Sequence, residues 1–173
     1  PTASAERLTV IQRTPSSVHV RGNRPTDPPW ARSLARGWQK RRIENFHVLV
    51  TGGTPEGDPL DLVSDGWTDV TRVLLPKILA SGARDLSSEA LARAAEQADL
   101  MKMEEIRPRV GSIVKDPATA EALKPWYRLF CKRACFHDEY LETFNPPNVA
   151  LVDTHGRGVE PNTKEGLGVA GRE

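Results

Sequence analysis

Two short apolar segments, residues 7–12 and 148–153, stand near opposite ends of the chain. Each has the length and composition of a buried β-strand. The long stretch between them, residues 38–124, has helical character instead. The order of these segments is therefore strand, helical insertion, strand.

The helical stretch carries start and stop signals. Ser87 and Asp116 are N-cap candidates, and Pro117 follows Asp116 as a first helical residue. Pro108 is predicted to end the helix that begins after Ser87, because proline has no N–H to donate and its ring clashes with the preceding turn. The helix after Asp116 is predicted to cover residues 117–124.

Two other segments show no periodicity. Residues 18–37 contain the turn sequence Asp27-Pro28-Pro29 and are predicted to form a loop or an adaptable arm. The residues after 155 are punctuated by glycines and are predicted to hold at most small strands.

Composition and charge exclude several functional classes. Hydrophobic residues make up 38% and charged residues 27% of the chain, which is typical of a soluble globular protein. No apolar run approaches the roughly 18 residues that span a bilayer, so no membrane span is predicted. Residues 1–50 carry nine Lys and Arg against three Asp and Glu. Lys40-Arg41-Arg42 are interpreted as a solvated helix face, because no nucleic-acid-binding signature accompanies them. A nucleic-acid partner is therefore not predicted.

Cys131 and Cys135 are the chain's two cysteines, so no disulfide framework is implied. A reducing, cytoplasmic location is the default for such a chain. The two cysteines and His137 could suggest zinc, but a structural zinc site needs four ligands and a second pair is absent. No metal site is predicted.

Arg13 stands directly after the first predicted strand. In a dinucleotide-binding fold the second strand ends beside the adenosine ribose, and an Arg there accommodates the 2′-phosphate of NADP. An Arg after a strand is more often a surface charge, and the glycine fingerprint of the dinucleotide fold is absent upstream. The residues alone leave two interpretations open: a chain that is no Rossmann domain, or one cut inside such a domain.

A family resemblance favours the second interpretation. Residues 9–17 (TVIQRTPSS), Lys132-Arg133 and residues 143–154 resemble, in this order and spacing, the flavin-dependent Baeyer–Villiger monooxygenases. The resemblance implies an α/β fold, namely an interior fragment of a Rossmann-like NADP-binding domain. In this fold a mainly α-helical insertion, about residues 38–124, would lie between two strands of one parallel sheet. Residues 1–17 would be its first segment, 18–130 a linker arm and helical insertion, and 131–173 the returning segment.

The resemblance also implies roles for individual residues. Arg13, Thr14 and Lys132 match the positions that bind the NADPH 2′-phosphate, and Arg133 matches the catalytic arginine beside the flavin. There a fixed cation would stabilise the negative charge that develops during oxygen insertion. The parent enzyme is expected to use FAD, NADP and O₂ to insert an oxygen atom next to a ketone carbonyl, and the isolated fragment is expected to be inactive.

Two alternatives remain open at this point. One is a sister flavin monooxygenase that oxygenates nitrogen or sulfur. The other is a non-catalytic helical interaction module with a basic arm.

Overall fold

The computed structural model describes residues 4–51, 61–69, 87–162, 164 and 166–169. In chain order the elements are β1 (Leu8–Gln12), β2 (Val18–His19), α1 (Pro28–Ser33), α2 (Trp38–Val50), α3 (Ser88–Ile113), α4 (Pro117–Ala122), a 3-10 helix (Leu129–Cys131), β3 (Cys135–Phe136), a second 3-10 helix (Leu141–Phe144), β4 (Val149–Asp153), β5 (Val159–Asn162) and β6 (Leu167–Val169).

The two strands predicted at the ends of the chain pair with each other. β1 and β4 run parallel, in a register that joins Leu8 to Val149 and Gln12 to Asp153. The backbone N–H of Leu8 donates to the Asn148 carbonyl at 2.9 Å, which begins the ladder. A parallel pair needs a long crossover connection, and the helical residues between the strands provide it. The predicted parallel pairing is confirmed.

Two further strand pairs are short. β2 pairs with β3 in parallel, with Val18 opposite Cys135 and His19 opposite Phe136. β5 and β6 form an antiparallel pair in the tail. The prediction that residue 18 begins a loop is therefore wrong for Val18 and His19, whose two-residue strand is too short to show a periodic pattern.

The chain divides into two compact units, one formed by Pro1–His19 with Met103–Glu173 and the other by Val20–Lys102. These boundaries differ from the predicted ones at residues 17/18 and 130/131. Residues 103–130 belong with the strands because their apolar side chains fill the core of the first unit. That core consists of Val110, Val114, Ala120, Leu123, Leu141 and Phe144, packed against Val10, Val149 and Leu151 among others. That the first unit is an NADP-binding domain stays a prediction.

The second unit has its own polar anchors. The Asn45 side chain, buried on α2, accepts from the backbone N–H of Leu62 at 2.9 Å. Lys102 forms an ion pair with Asp69 at 2.7 Å, and the Lys102 side chain is only 7% exposed. Since a buried ammonium is costly without a counterion, this pair fixes the end of the unit to residues 61–69.

Pro108 does not end α3, which continues to Ile113. Pro108 is exposed, whereas Ile106 and Val110 on either side of it are buried. Burial of these side chains stabilises the helix by about 1.5–3 kcal/mol each, enough to offset the roughly 3 kcal/mol that an interior proline costs. The predicted stop is wrong because tertiary packing outweighs the local signal.

Residues 28–33 form the short helix α1 within the predicted loop. The Asp27 side chain accepts from the backbone N–H of Trp30 at 3.2 Å, and Pro28 is the first helical residue. Asp116 and Pro117 begin α4 in the same way, with the Asp116 carboxylate 2.7 Å from the backbone nitrogen of Thr119. The interpretation of Asp27-Pro28-Pro29 as a turn is therefore corrected, and the helix start at Asp116 is confirmed.

Candidate functional site

The carboxyl ends of β1 and β4 meet at one edge, where Gln12 joins three pieces of the chain. Its side-chain Nε2 donates to the carbonyl of Ala122 at 2.7 Å and to Oδ2 of Asp153 at 3.2 Å. Oδ1 of Asp153 accepts from the backbone N–H of His155 at 2.8 Å. Both carboxylate oxygens of Asp153 thus have hydrogen-bond donors within the protein, which lowers the cost of keeping a carboxylate at this edge.

The turn after β4 holds the backbone of Arg13. The Thr154 hydroxyl donates to the Gln12 carbonyl at 3.0 Å and accepts from the Gly158 N–H at 2.9 Å. The N–H of Gly156 donates to the Arg13 carbonyl at 2.8 Å. Gly156 and Gly158 have φ of 83° and 85°, a backbone region that favours glycine.

Arg13 itself lies against this turn with its side chain exposed. A Cβ at Gly158 would stand 3.4 Å from the Arg13 Cδ, which places the Arg13 stem directly beside this glycine. Thr14 follows and is also exposed. The turn thereby presents a permanent positive charge and a hydroxyl at the carboxyl end of a parallel strand, which is where parallel sheets bind phosphate-bearing ligands.

Tyr127 connects this edge with Lys132. Its hydroxyl donates to the Pro15 carbonyl at 2.8 Å and accepts from the backbone N–H of Ser17 at 3.0 Å. The Lys132 ammonium lies 4.9 Å from the centroid of the Tyr127 ring, within the range of a cation–π contact. Burial raises the pKa of Tyr127 above its usual value, so the phenol keeps its proton at neutral pH.

The parallel pair β2–β3 keeps the Lys132-Arg133 segment beside the chain that follows β1. The N–H of Cys135 donates to the Ser17 carbonyl at 3.0 Å, and the N–H of His137 donates to the His19 carbonyl at 2.8 Å. Arg133 is exposed and directly precedes Ala134, which is buried. Burial of Ala134 limits how far the backbone of Arg133 can shift.

An open pocket of about 560 Å³ lies beside Tyr127 and the β1–β4 edge. Its lining includes Thr14, Pro15, Trp126 and Tyr127. The Arg107 guanidinium carbon lies 4.4 Å from the centroid of the Trp126 ring, and Arg107 also donates to the Pro125 carbonyl at 3.2 Å. Arg107 thereby supports the residues that precede Tyr127.

The described contacts bring three of the predicted site residues into one connected arrangement. Arg13 and Thr14 precede the Pro15–Ser17 backbone that Tyr127 binds, and Lys132 contacts the ring of the same tyrosine. Arg133 enters the arrangement as the neighbour of Lys132. The roles assigned to these four residues stay predictions.

Sequence reasoning missed Tyr127 and Gln12. The partners of the Tyr127 hydroxyl are backbone atoms of Pro15 and Ser17, and those of Gln12 are Ala122 and Asp153. These partners lie more than a hundred residues away along the chain. Local residue spacing therefore could not predict the contacts. A tyrosine that becomes partly buried usually needs a hydrogen-bond partner for its hydroxyl, and the sequence offered no other signal for this residue.

Cys131 and Cys135 are both exposed free thiols. Among the residues that the structure describes, no group of three or more His, Cys, Asp or Glu side chains could hold a metal ion. Within the same residues, no helix is long and apolar enough to cross a membrane.

The chain is similar to known proteins over nearly its whole length. No family model matches it. It is 57% identical over 169 residues to a pentalenolactone D synthase of Streptomyces exfoliatus, covering 98% of this chain and 28% of the relative. It is 53% identical over 170 residues to a Baeyer-Villiger monooxygenase of Stachybotrys chlorohalonatus, covering 98% of this chain and 27% of that protein. The chain therefore spans a little over a quarter of the length of these relatives.

Solved structures give the same correspondence. A polycyclic ketone monooxygenase of Thermothelomyces thermophila matches with 43% identity and a TM-score of 0.79, over 99% of this chain and 28% of that one. An oxidized steroid monooxygenase bound to NADP matches with 22% identity and a TM-score of 0.61, over 99% of this chain and 33% of that one. At that identity the second match shows the fold alone. Together the matches confirm the predicted α/β class, a Rossmann-type fragment.

Proposed function

The chain is homologous over nearly its whole length to one segment of the flavin-dependent Baeyer–Villiger monooxygenases, and from this premise we propose that it is part of an NADPH- and FAD-dependent enzyme of that kind. The enzyme inserts one atom of O₂ next to the carbonyl of a ketone and gives an ester or lactone. Within it, Arg13, Thr14 and Lys132 bind the 2′-phosphate of NADPH, and Arg133 serves the oxygen insertion.

The observation that carries this proposal is the connection through Tyr127 between the segment bearing Arg13 and the segment bearing Lys132. A phosphomonoester needs fixed cations and hydrogen-bond donors, and a guanidinium, an ammonium and the Thr14 hydroxyl make such a set. An NAD-specific domain has a carboxylate at the end of the corresponding strand, so an arginine after β1 supports NADP as the nucleotide. The residues present therefore fit NADP.

These residues bind and orient the nucleotide. Arg13 and Lys132 neutralise the phosphate from two separate segments, so that a nucleotide lacking the phosphate loses both contacts. Arg133 is always charged and presents a planar set of donors, which suits it to stabilise negative charge that develops on oxygen. FAD, when bound, supplies the reaction of oxygen, and the FAD-binding residues are expected in the rest of the enzyme.

The test is nucleotide discrimination in the flavoprotein that contains this chain. Arg13→Ala and Lys132→Ala each remove a charge-assisted phosphate contact, which costs on the order of 1.5–3 kcal/mol, or roughly ten- to hundredfold in affinity. We expect that loss for NADPH and little change for NADH, measured as dissociation constants by isothermal titration calorimetry.

Two matched variants control for charge alone. Arg7 is exposed just before β1, at the strand end opposite Arg13, and Lys115 is exposed between α3 and α4. Arg7→Ala and Lys115→Ala each remove one positive charge of the same type at another position. They should leave the affinities for NADPH and NADH unchanged. An equal loss for NADPH and NADH in the Arg13 and Lys132 variants would contradict the phosphate assignment.

We also propose a cytoplasmic location for the enzyme, supported by the two exposed free thiols, which fit a reducing compartment. Cell fractionation tests it, and recovery of the enzyme in a secreted fraction would contradict it.

A further inference from the structure

Tyr127 contacts both segments to which the nucleotide-binding residues have been assigned, yet it carries no charge for a phosphate. We propose that Tyr127 is a positioning residue for the 2′-phosphate: its hydroxyl anchors the ring to the backbone after Thr14, and the ring holds the Lys132 ammonium. Tyr127 thus determines nucleotide specificity through Lys132. This inference rests on the proposed function.

The Tyr127 ring restricts the motion of the flexible Lys132 side chain. A lysine side chain has four rotatable bonds and loses considerable entropy when its ammonium is fixed in one position. In the structure the Lys132 ammonium lies 4.9 Å from the Tyr127 ring centroid, and the Lys132 side chain is half-buried. An ammonium already held on the ring face has less freedom to lose when a phosphate binds, so part of the ordering cost is removed beforehand.

The hydroxyl fixes the ring in relation to Arg13 and Thr14. It bonds to Pro15 and Ser17, which directly follow the two residues, at 2.8 and 3.0 Å. Ser17 is only 1% exposed, so its backbone N–H depends on a protein acceptor. The two hydrogen bonds tie the ring under Lys132 to the backbone that continues from Arg13.

The expected effect is therefore confined to ligands that carry a 2′-phosphate. NADP⁺ and adenosine 2′,5′-bisphosphate should depend on the ring, whereas NAD⁺ and adenosine 5′-monophosphate should not. A residue that only stabilised the fold would change all four affinities together.

The experiment uses the flavoprotein that contains this chain, and measures dissociation constants for these four ligands by calorimetry. Tyr127→Met and Tyr127→Leu remove the π face and the hydroxyl, while Tyr127→Phe removes only the hydroxyl. We expect Tyr127→Met and Tyr127→Leu to weaken the binding of NADP⁺ and of the bisphosphate about two- to fivefold and to leave the binding of NAD⁺ unchanged. Tyr127→Phe should retain most of the preference for the 2′-phosphate.

Coupling to Lys132 is measured in the double variants. In a Lys132→Ala background, Tyr127→Met should cause no further loss of the preference for the 2′-phosphate, because the group that the ring supports is gone. Tyr140 provides the matched control: it is also half-buried, but its ring packs edge-on against Phe144 at 5.3 Å. Tyr140→Leu should leave the preference intact.

The outcomes separate this inference from the proposed function. If Lys132→Ala reduces the preference and neither Tyr127→Met nor Tyr127→Leu does, the role of Tyr127 is wrong and the phosphate site stands. Equal weakening of all four ligands by Tyr127→Met also overturns the positioning role. If Lys132→Ala leaves the preference unchanged, the phosphate assignment fails and this inference fails with it.

Discussion

At the scale of single residues, the hydroxyl of Tyr127 satisfies backbone groups that no strand reaches. Residues 13–17 lie between β1 and β2 and belong to neither strand. The Ser17 N–H and the Pro15 carbonyl bond instead to the phenol of Tyr127. The Tyr127 hydroxyl thus makes the hydrogen bonds that a neighbouring strand would otherwise make, and these bonds hold the backbone of residues 15–17 in place.

Removing the Tyr127 hydroxyl tests whether the backbone at Ser17 depends on it. Tyr127→Phe leaves the buried Ser17 N–H without its acceptor, a loss of about 1–3 kcal/mol. Hydrogen-exchange mass spectrometry should show exchange of peptides covering Ser17 accelerated about tenfold or more. Tyr140→Phe is the control and should leave exchange at Ser17 unaltered. Unaltered exchange in Tyr127→Phe itself would contradict the anchoring role.

At the scale of elements, the same Asp-Pro sequence begins two helices, but it predicts a helix start at only one of them. Asp27-Pro28 and Asp116-Pro117 both supply an N-cap carboxylate followed by proline, and both begin a six-residue helix. The first is interpreted as a turn because it stands in a stretch rich in Pro and Arg that shows no periodicity. Proline is tolerated throughout a first helical turn, since those N–H groups have no partner inside the helix.

The cap at Asp116 predicts a pH dependence for α4. Hydrogen bonds from the side chain and the backbone of Thr119 hold the pKa of Asp116 below its ordinary value of 3.8. Because the folded pKa is the lower one, the stabilisation is present above pH 3.8 and is lost as pH falls through the folded pKa.

Thermal unfolding from pH 7 to about pH 2, through the range in which the charge is lost, tests this cap. Asp116→Ala should lower the melting temperature at neutral pH, and its deficit should shrink in acid. Asp116→Asn keeps a capping oxygen without a titrating group, so it should remain close to the parent at neutral pH. A deficit for Asp116→Ala that is the same at both ends of the range would refute the role of the charge.

At the scale of the whole molecule, the sequence predicted the architecture better than the site. The apolar patterns predicted the two strands β1 and β4, and the resemblance predicted their parallel pairing and the importance of Arg13 and Lys132. The boundary of the first compact unit follows the burial of Val110 and Leu123 rather than any break in the sequence. Tyr127 was missed because its partners are backbone atoms on a distant segment, which spacing does not encode.

The central claim is that this segment contributes to ketone oxygenation, and Arg133 is the residue on which that claim depends most. Its charge should matter while negative charge develops on oxygen, and a lysine is a poor substitute because its point charge lacks the planar donors. Nucleotide affinity does not test this role, so product formation has to be measured.

The decisive measurement is the ester or lactone formed from a panel of ketones with NADPH and O₂ by the FAD-loaded enzyme. Arg133→Ala should reduce product formation by about a hundredfold or more while the FAD content stays at the parent level, with Arg133→Lys only slightly better. The control variant Arg7→Ala should behave as the parent. An Arg133→Ala enzyme that retains FAD and forms ester at the parent rate would contradict the account.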